Sequence, residues 1–261
     1  EYDIPYLELE PPWYGWNSES KTQEHYDITK PVPELKMDQL LQYADKKDVR
    51  FFFFFFWKSL EKQMDEAMET YQKWGAAGIK VDYMNRDDQQ MVDFYHKVAR
   101  KAAEHHLMVY FHGAYKPTGL RRTWPNVLSR EGVLGLEYDK WSKRVTPEHD
   151  VTLPFTRMLA GPMDYTPGGF DNATKEEFKI SWSDPMVMGT RVHQLALYVV
   201  YESPLQMVAD HPGAIRNKPG SQFIKTVPAS WDETRYTKGK IGDYIVMARR
   251  NGEKWFMGAL T

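Results

Sequence analysis

The chain has 261 residues, 42% of them hydrophobic, which is enough for one large core or two modest ones. Its net charge of −2 excludes the basic field of a nucleic-acid binder and the polybasic tract of a membrane-surface protein, and no apolar run approaches the ~20 residues of a membrane span. There is no cysteine, so disulfides, thiolate metal sites and a Cys nucleophile are excluded, while the compartment stays open.

In chain order, residues 5–10 read as a strand and PPWYGWNSES after them as a long loop. Residues 33–44 resemble a helix with Leu35, Leu40 and Leu41 on one side. Residues 49–57 form the next strand, with six consecutive Phe at its centre. A fully buried parallel strand is apolar throughout, but rings at every position are expected to overpack it, and no site is assigned there. Ser59 is placed to cap a helix whose apolar face is Leu60, Met64, Ala67, Met68, Tyr71 and Trp74, ending at Gly75. Residues 79–84 form a strand. Asp87 or Asp88 caps the next helix, with Met91, Phe94, Val98 and Ala102 inward. A strand at 107–112 precedes a loop rich in Gly, Pro and Arg. Short strands are expected at 135–138, 161–165 and 206–210, with an apolar helix at 189–203 between the last two.

Strands alternating with helices imply parallel βαβ units. No Gly-rich phosphate loop follows the first strand, which argues against a doubly wound nucleotide-binding sheet. The expected fold is therefore α/β: a (β/α)8 TIM barrel over residues 1–226 that lacks its first strand. Residues 227–261 then start a C-terminal β-domain, with a hairpin turn at Asn251-Gly252. Opening on an extended segment without Met, and stopping as a β-rich unit begins, the chain reads as an internal piece of a longer protein.

The chemistry is expected where strands end, since a TIM barrel keeps its site at the C-terminal ends. Asp82, His112, Glu137, Asp164 and Asp210 all fall at or near the ends of expected strands. Lys80, two residues before Asp82, points to the same side of its strand and partly neutralises it, which favours the ionised carboxylate. An ionised carboxylate facing a second carboxyl group from a nearby strand is the constellation for glycoside hydrolysis.

Four stretches carry a resemblance: KVDYMNRDDQ, FHGAYKPTG, RRTWPNVLSREGVLGLEY and VTPEHDVTLPFTRMLAGPMDYTPGGF. Together they resemble glycoside hydrolase family 97, a family of α-glucosidases and α-galactosidases, over nearly the whole chain. The resemblance implies a barrel flanked by an N-terminal β-supersandwich, which is not in this chain, and a C-terminal β-domain. It implies a bacterial protein of the periplasm or the extracellular space. Inverting members carry a Glu base where this chain has Gly113, whereas retaining α-galactosidases place an Asp nucleophile at the position of Asp82. Both place the proton donor at the position of Glu137. The implied activity is a retaining exo-α-galactosidase, with Asp82 as nucleophile and Glu137 as acid and then base. The implied partner is an α-galactoside. The Lys-x-Asp before the nucleophile also resembles other α-galactosidase barrels, which implies that Lys80 contacts sugar hydroxyls. Family members also hold calcium through Glu side chains, of which Glu131 and Glu137 match two.

His112 is read as a binder of substrate hydroxyls or a satisfied barrel histidine, Lys116 as a hydroxyl binder or a loop cation, and Asp164 as a sugar contact or a loop-ordering group. Trp13, Trp124 and Trp141 are sugar platforms or core residues. The Pro-Gly-Gly at 167–169 is expected to place a loop over the barrel mouth. Two rival readings remain: α-glucoside hydrolysis by the same pair of carboxyl groups, and a carbohydrate-binding barrel without catalysis.

Overall fold

The computed structural model describes residues 3–16 and 26–261. The chain divides into two compact units, one ending at Arg130 and the other running from Glu131 to Thr261. None of the helices among the described residues is long and apolar enough to cross a membrane.

The first unit is built on five parallel strands in chain order: β1 (Tyr6–Leu9), β2 (Arg50–Phe56), β3 (Gly78–Asp82), β4 (Met108–Phe111) and β5 (Val127–Arg130). Connections of a helix or more join them, as parallel pairing demands. Helix α1 (Met37–Asp45) precedes β2, α2 (Trp57–Lys73) follows it, α3 (Gln89–Glu104) joins β3 to β4, and the short α4 (Leu120–Thr123) precedes β5. The register sets Phe54 beside Lys80 and Lys80 beside Tyr110, with Phe56 beside Asp82 and Glu8 beside Phe52. Because successive side chains alternate sides, Glu8, Phe52, Phe54, Phe56, Lys80, Asp82 and Tyr110 share one face of the sheet.

The opposite face meets the helices. Phe53 and Phe55 stack on Tyr71 of α2, with centroids 5.1 and 5.5 Å apart and planes within 10° and 12°. Phe111 meets Tyr95 of α3 edge-on at 4.6 Å. The residues that helical spacing picks out in α2 and α3 are buried, except that Trp74 is only partly so; Trp57, Ser59, Tyr95 and Ala99 are buried besides. The six-Phe run is fully buried without the expected overpacking. Alternation divides the rings: three enter the helix layer, and three spread among Tyr6, Trp16, Tyr83, Lys80 and Tyr110 on the other face.

Several local expectations change. Helix α2 starts at Trp57 directly from β2, so Ser59 lies buried in its first turn and does not cap it. Asp88 is the cap of α3, its Oδ1 accepting from Met91 N at 3.2 Å. The second strand after β3 is β5, directly after the Gly-, Pro- and Arg-rich loop, where no strand was expected.

In the second unit the expected strand at 135–138 is a 3-10 turn, Leu136–Lys140. Residues 161–165 and 206–210 run extended, tied to neighbours by single backbone bonds such as Met163 N to Glu202 O (3.1 Å) and Ala209 N to Pro167 O (2.9 Å), so no ladder forms. Helix α5 (Pro147–Thr152), a two-stranded parallel pair of β6 (Asn172–Ala173) and β7 (Val187–Met188), and helices α6 (Arg191–Val200), α7 (Pro212–Ile215) and α8 (Ser221–Thr226) lead to an antiparallel sheet. Its strands are β8 (Glu233–Lys240), β9 (Tyr244–Asn251) and β10 (Lys254–Leu260), with the turn at Gly252. The expected mouth loop at 167–169 is buried instead: Gly168 N donates to Gln194 Oε1 at 3.1 Å, and Tyr198 Oη donates to Pro167 O at 2.9 Å.

Gly78 is required where it stands, since a Cβ there would lie 2.4 Å from Met108 O and from the Phe52 ring. Gly78→Ala is expected to destabilise the chain by roughly 1–3 kcal/mol, as overpacking does, and Asp88→Ala by about 1 kcal/mol through the lost cap. Both appear as a lower urea midpoint with the slope unchanged; a midpoint equal to wild type for Gly78→Ala would contradict the packing of β3 on β2 and β4.

Candidate active site

Lys80 is 8% exposed in the middle of β3, and its partner comes from β1. Its Nζ lies 2.8 Å from Glu8 Oε1, with Glu10 Oε1 at 4.0 Å, and stands over the Phe54 and Tyr110 rings at 4.7 and 5.8 Å. Tyr110 Oη donates to the other oxygen of Glu8. A buried ammonium is costly without a partner. Here a carboxylate and two ring faces compensate it, leaving the Glu8–Lys80–Tyr110 group at the sheet centre.

Asp82 ends the same strand, one pleat further along. Its Oδ1 accepts from Tyr83 N, and its Oδ2 is 3.8 Å from Nδ1 of buried His112, the residue after β4. Beyond it the backbone bends sharply, with left-handed φ at Tyr83 (67°), Asn85 (45°) and Gly113 (52°). Asn85 N donates to Gly113 O at 2.7 Å, fastening this bend to the loop after β4. A Cβ on Gly113 would lie 2.8 Å from Asp82 Oδ1 and 2.8 Å from Tyr83 N, so the Asp82 carboxylate takes the space a side chain there would need. Strained, non-Gly positive φ values clustered around one carboxylate are a mark of functional sites. Lys116 is exposed on the loop after β4. Trp13 is buried, its Nε1 donating to Phe54 O at 3.0 Å, and Trp124 packs on the core, so both serve the interior.

In the second unit, Glu137 sits half-buried on the turn Leu136–Lys140. That turn is anchored by Leu136 N to Tyr165 O (3.0 Å), and Gly135 packs on the Tyr165 backbone. Tyr165 in turn donates its hydroxyl to buried Asp150, whose Oδ2 lies 3.1 Å from His193 Nε2. Tyr201 donates to Asp150 O at 2.9 Å. Asp139, on the same turn as Glu137, is buried with neither oxygen hydrogen-bonded. Burial, reinforced by the Asp150 charge, pushes it up to about 8, so it is held neutral at ordinary pH.

Glu131 is buried, and its carbonyl is gripped by Arg157, which donates to Glu131 O (2.8 and 3.2 Å), Gly132 O (3.0 Å), Gly161 O (2.9 Å) and Pro162 O (3.1 Å). This one guanidinium ties the Glu131 segment to the one leading to buried Asp164, which accepts from Thr166 Oγ1 at 3.5 Å. Glu131 and Glu137 each offer a carboxylate oxygen within 4.8 Å of the other. Burial raises the Tyr138 phenol, and the charges of Glu131 and Glu137 add to the shift. Two carboxylates so close suit an oxygen-ligated cation in kind, though calcium takes about six to eight oxygens.

The expected candidates thus fall into two groups: Lys80, Asp82, His112 and Lys116 in the first unit, and Glu131, Glu137 and Asp164 in the second. Glu8, Tyr110 and Arg157 were not singled out from the sequence. The alternation in YLELE was the available signal for Glu8. Nothing local marked Arg157, whose donors serve the distant carbonyls of Glu131 and Gly132 as well as the nearby ones of Gly161 and Pro162.

Residues 1–133 match the family description "Glycoside hydrolase 97", and residues 230–261 match "Glycosyl-hydrolase 97 C-terminal, oligomerisation". A protein of Bacteroides thetaiotaomicron named "Retaining alpha-galactosidase" is 43% identical over 238 residues, covering 90% of this chain and 36% of the relative. Among solved structures, a family 97 enzyme from Pseudoalteromonas sp. strain K8 in complex with acarbose is similar over the whole chain and 44% of its own, at 32% identity and a TM-score of 0.88. A β-arabinopyranosidase is similar over 88% of this chain and 39% of its own, at 30% identity and a TM-score of 0.76. The chain therefore spans well under half the length of these relatives. With the family's pattern covering its first 133 residues and the C-terminal pattern its last 32, this chain belongs to glycoside hydrolase family 97.

Proposed function

We propose that this chain carries the catalytic groups of a retaining exo-α-galactosidase. The observation that carries the reading is Asp82: a carboxylate at the C-terminal end of a parallel strand, close against a glycine that leaves no room for a competing base. The relative named "Retaining alpha-galactosidase" supports the same choice. We read the five parallel strands as part of a (β/α)8 barrel, supported by Asp82 and His112 both lying at strand C-terminal ends.

In this mechanism Asp82 attacks the anomeric carbon of a terminal α-galactoside while Glu137 gives its proton to the departing oxygen. The glycosidic bond breaks and a β-galactosyl ester of Asp82 forms. Glu137, now a carboxylate, takes a proton from water; the water oxygen attacks the anomeric carbon, the ester breaks, and α-galactose leaves. The reading requires the two carboxyl groups to stand ~5–5.5 Å apart in the working enzyme. Lys80, His112, Lys116 and Asp164 are the proposed contacts to the sugar hydroxyls. Calcium belongs to the proposal as well, with Glu131 and Glu137 holding it; bound there, it would supply positive charge beside the leaving group.

Asp82→Asn is expected to abolish turnover of an aryl α-galactoside. Asp82→Gly should be equally inactive until azide, entering from the vacated face, converts the substrate to the β-galactosyl azide. Wild-type turnover by Asp82→Asn rules the nucleophile out. Measuring aryl α-galactoside, α-glucoside and β-arabinopyranoside side by side decides the glycon, and an α-glucoside preference would displace the galactosidase reading.

Calcium should raise the melting temperature of the full chain, as any ligand of the native state does, and raise it much less in Glu131→Gln. An equal rise in both removes Glu131 from the site.

A further inference from the structure

In a glycosidase the proton donor marks the side from which the leaving group departs, so the surface flanking Glu137 faces the aglycone. Here that surface is aromatic. Trp141 closes the turn Leu136–Lys140, its N donating to Tyr138 O at 3.0 Å. Side chains three apart eclipse in a 3-10 turn. Tyr138 accordingly meets Trp141, with ring centroids 5.0 Å apart, and Lys140 falls on the side of the turn that carries Glu137. Trp182 arrives from a separate segment. Its ring lies 5.4 Å from that of Trp141, tilted by 31°, and the Lys140 ammonium stands 5.6 Å from its centre.

Neither indole is used to build the core. Trp182 is 71% exposed and Trp141 42%, whereas Trp13 in the other unit is 3% exposed. Two large rings held side by side in water, with an ammonium at one edge, match a pyranose ring. Its C–H face covers apolar ring surface, and its rim of hydroxyls reaches the cation.

We propose that Trp141 and Trp182 form a leaving-group platform that binds a neutral hexopyranose as aglycone, with Lys140 hydrogen-bonding its hydroxyls. The proposal rests on the α-galactosidase reading. It makes the natural substrate an α-galactosyl oligosaccharide in which galactose is joined to another sugar, in preference to a galactolipid or a glycoprotein side chain lacking a second ring.

The test compares two substrates in the full chain: a disaccharide of galactose α-linked to glucose, and α-galactosyl fluoride, whose leaving group has no ring to stack. In Trp182→Ala and Trp141→Ala, kcat/KM for the disaccharide is expected to fall about tenfold further than kcat/KM for the fluoride. The loss should appear mostly as a higher KM, and Trp182→Phe should recover most of it. Equal losses on both substrates, or Trp182→Phe no better than Trp182→Ala, overturn the platform while leaving the α-galactosidase reading intact. Wild-type protein that hydrolyses neither substrate overturns the reading and the platform with it.

Discussion

The first unit depends on one buried ion pair. Lys80 and Glu8, on the two strands flanking β2, meet at 2.8 Å on one face of the sheet, where the neighbouring positions are Phe rings. A lone charge there would cost several kcal/mol. Paired with a carboxylate that also accepts from the Tyr110 hydroxyl, and lying over the Phe54 ring, the lysine is a compensated cation on the same sheet face as Asp82. The register that makes the pair also decides which way everything else points. A slip of one residue would turn Lys80 and Asp82 into the helix layer and Ile79 and Val81 out of it. The aromatic crowding that looks excessive in the sequence is the other half of this constraint: rings on both sides of β2 leave no slack for a slip.

The second unit positions its carboxylates by a different means. It has no long strand under Glu131, Glu137 or Asp164, and irregular backbone must be held by side chains and single bonds. Arg157 satisfies four carbonyls at once and joins two segments. Tyr165 links the Glu137 turn through its backbone to Asp150 and His193 through its hydroxyl. Asp139 sits beside this network without a partner and stays neutral, which spares the interior a second negative charge next to Asp150. A site assembled this way is specific in geometry but leaves little trace in hydrophobic periodicity.

That contrast explains what could be read ahead of the structure. Helices α2 and α3 were legible because burial follows the 3.6-residue repeat: Leu60, Met64, Ala67, Met68 and Tyr71 on one, Met91, Phe94, Val98 and Ala102 on the other. Strands β2, β3 and β4 were legible as short apolar runs bounded by polar residues, and the β9–β10 hairpin by its Asn-Gly turn. The stretches at 135–138, 161–165 and 206–210 have the composition of strands but bond to neighbouring segments through single backbone contacts, so they form a turn and extended segments without a ladder. β5 went unseen because four residues after Pro125 and Asn126 carry too little pattern. The buried Pro-Gly-Gly at 167–169 shows the same limit, for turn chemistry does not say which side of a turn is covered.

Sequence alone determined the α/β alternation, the strand that bears Lys80 and Asp82, the family, and the identity of the two carboxyl groups that the proposed chemistry uses. These follow from local periodicity and from long ordered motifs, both of which are written along the chain. Only tertiary structure decided that Lys80 answers to Glu8, that Gly113 yields its space to Asp82, that Arg157 holds the Glu131 segment, and that Trp141 has Trp182 for a neighbour while Trp13 belongs to the core. Each is a meeting of residues tens of positions apart, and such meetings are set by register and packing, which no local pattern encodes.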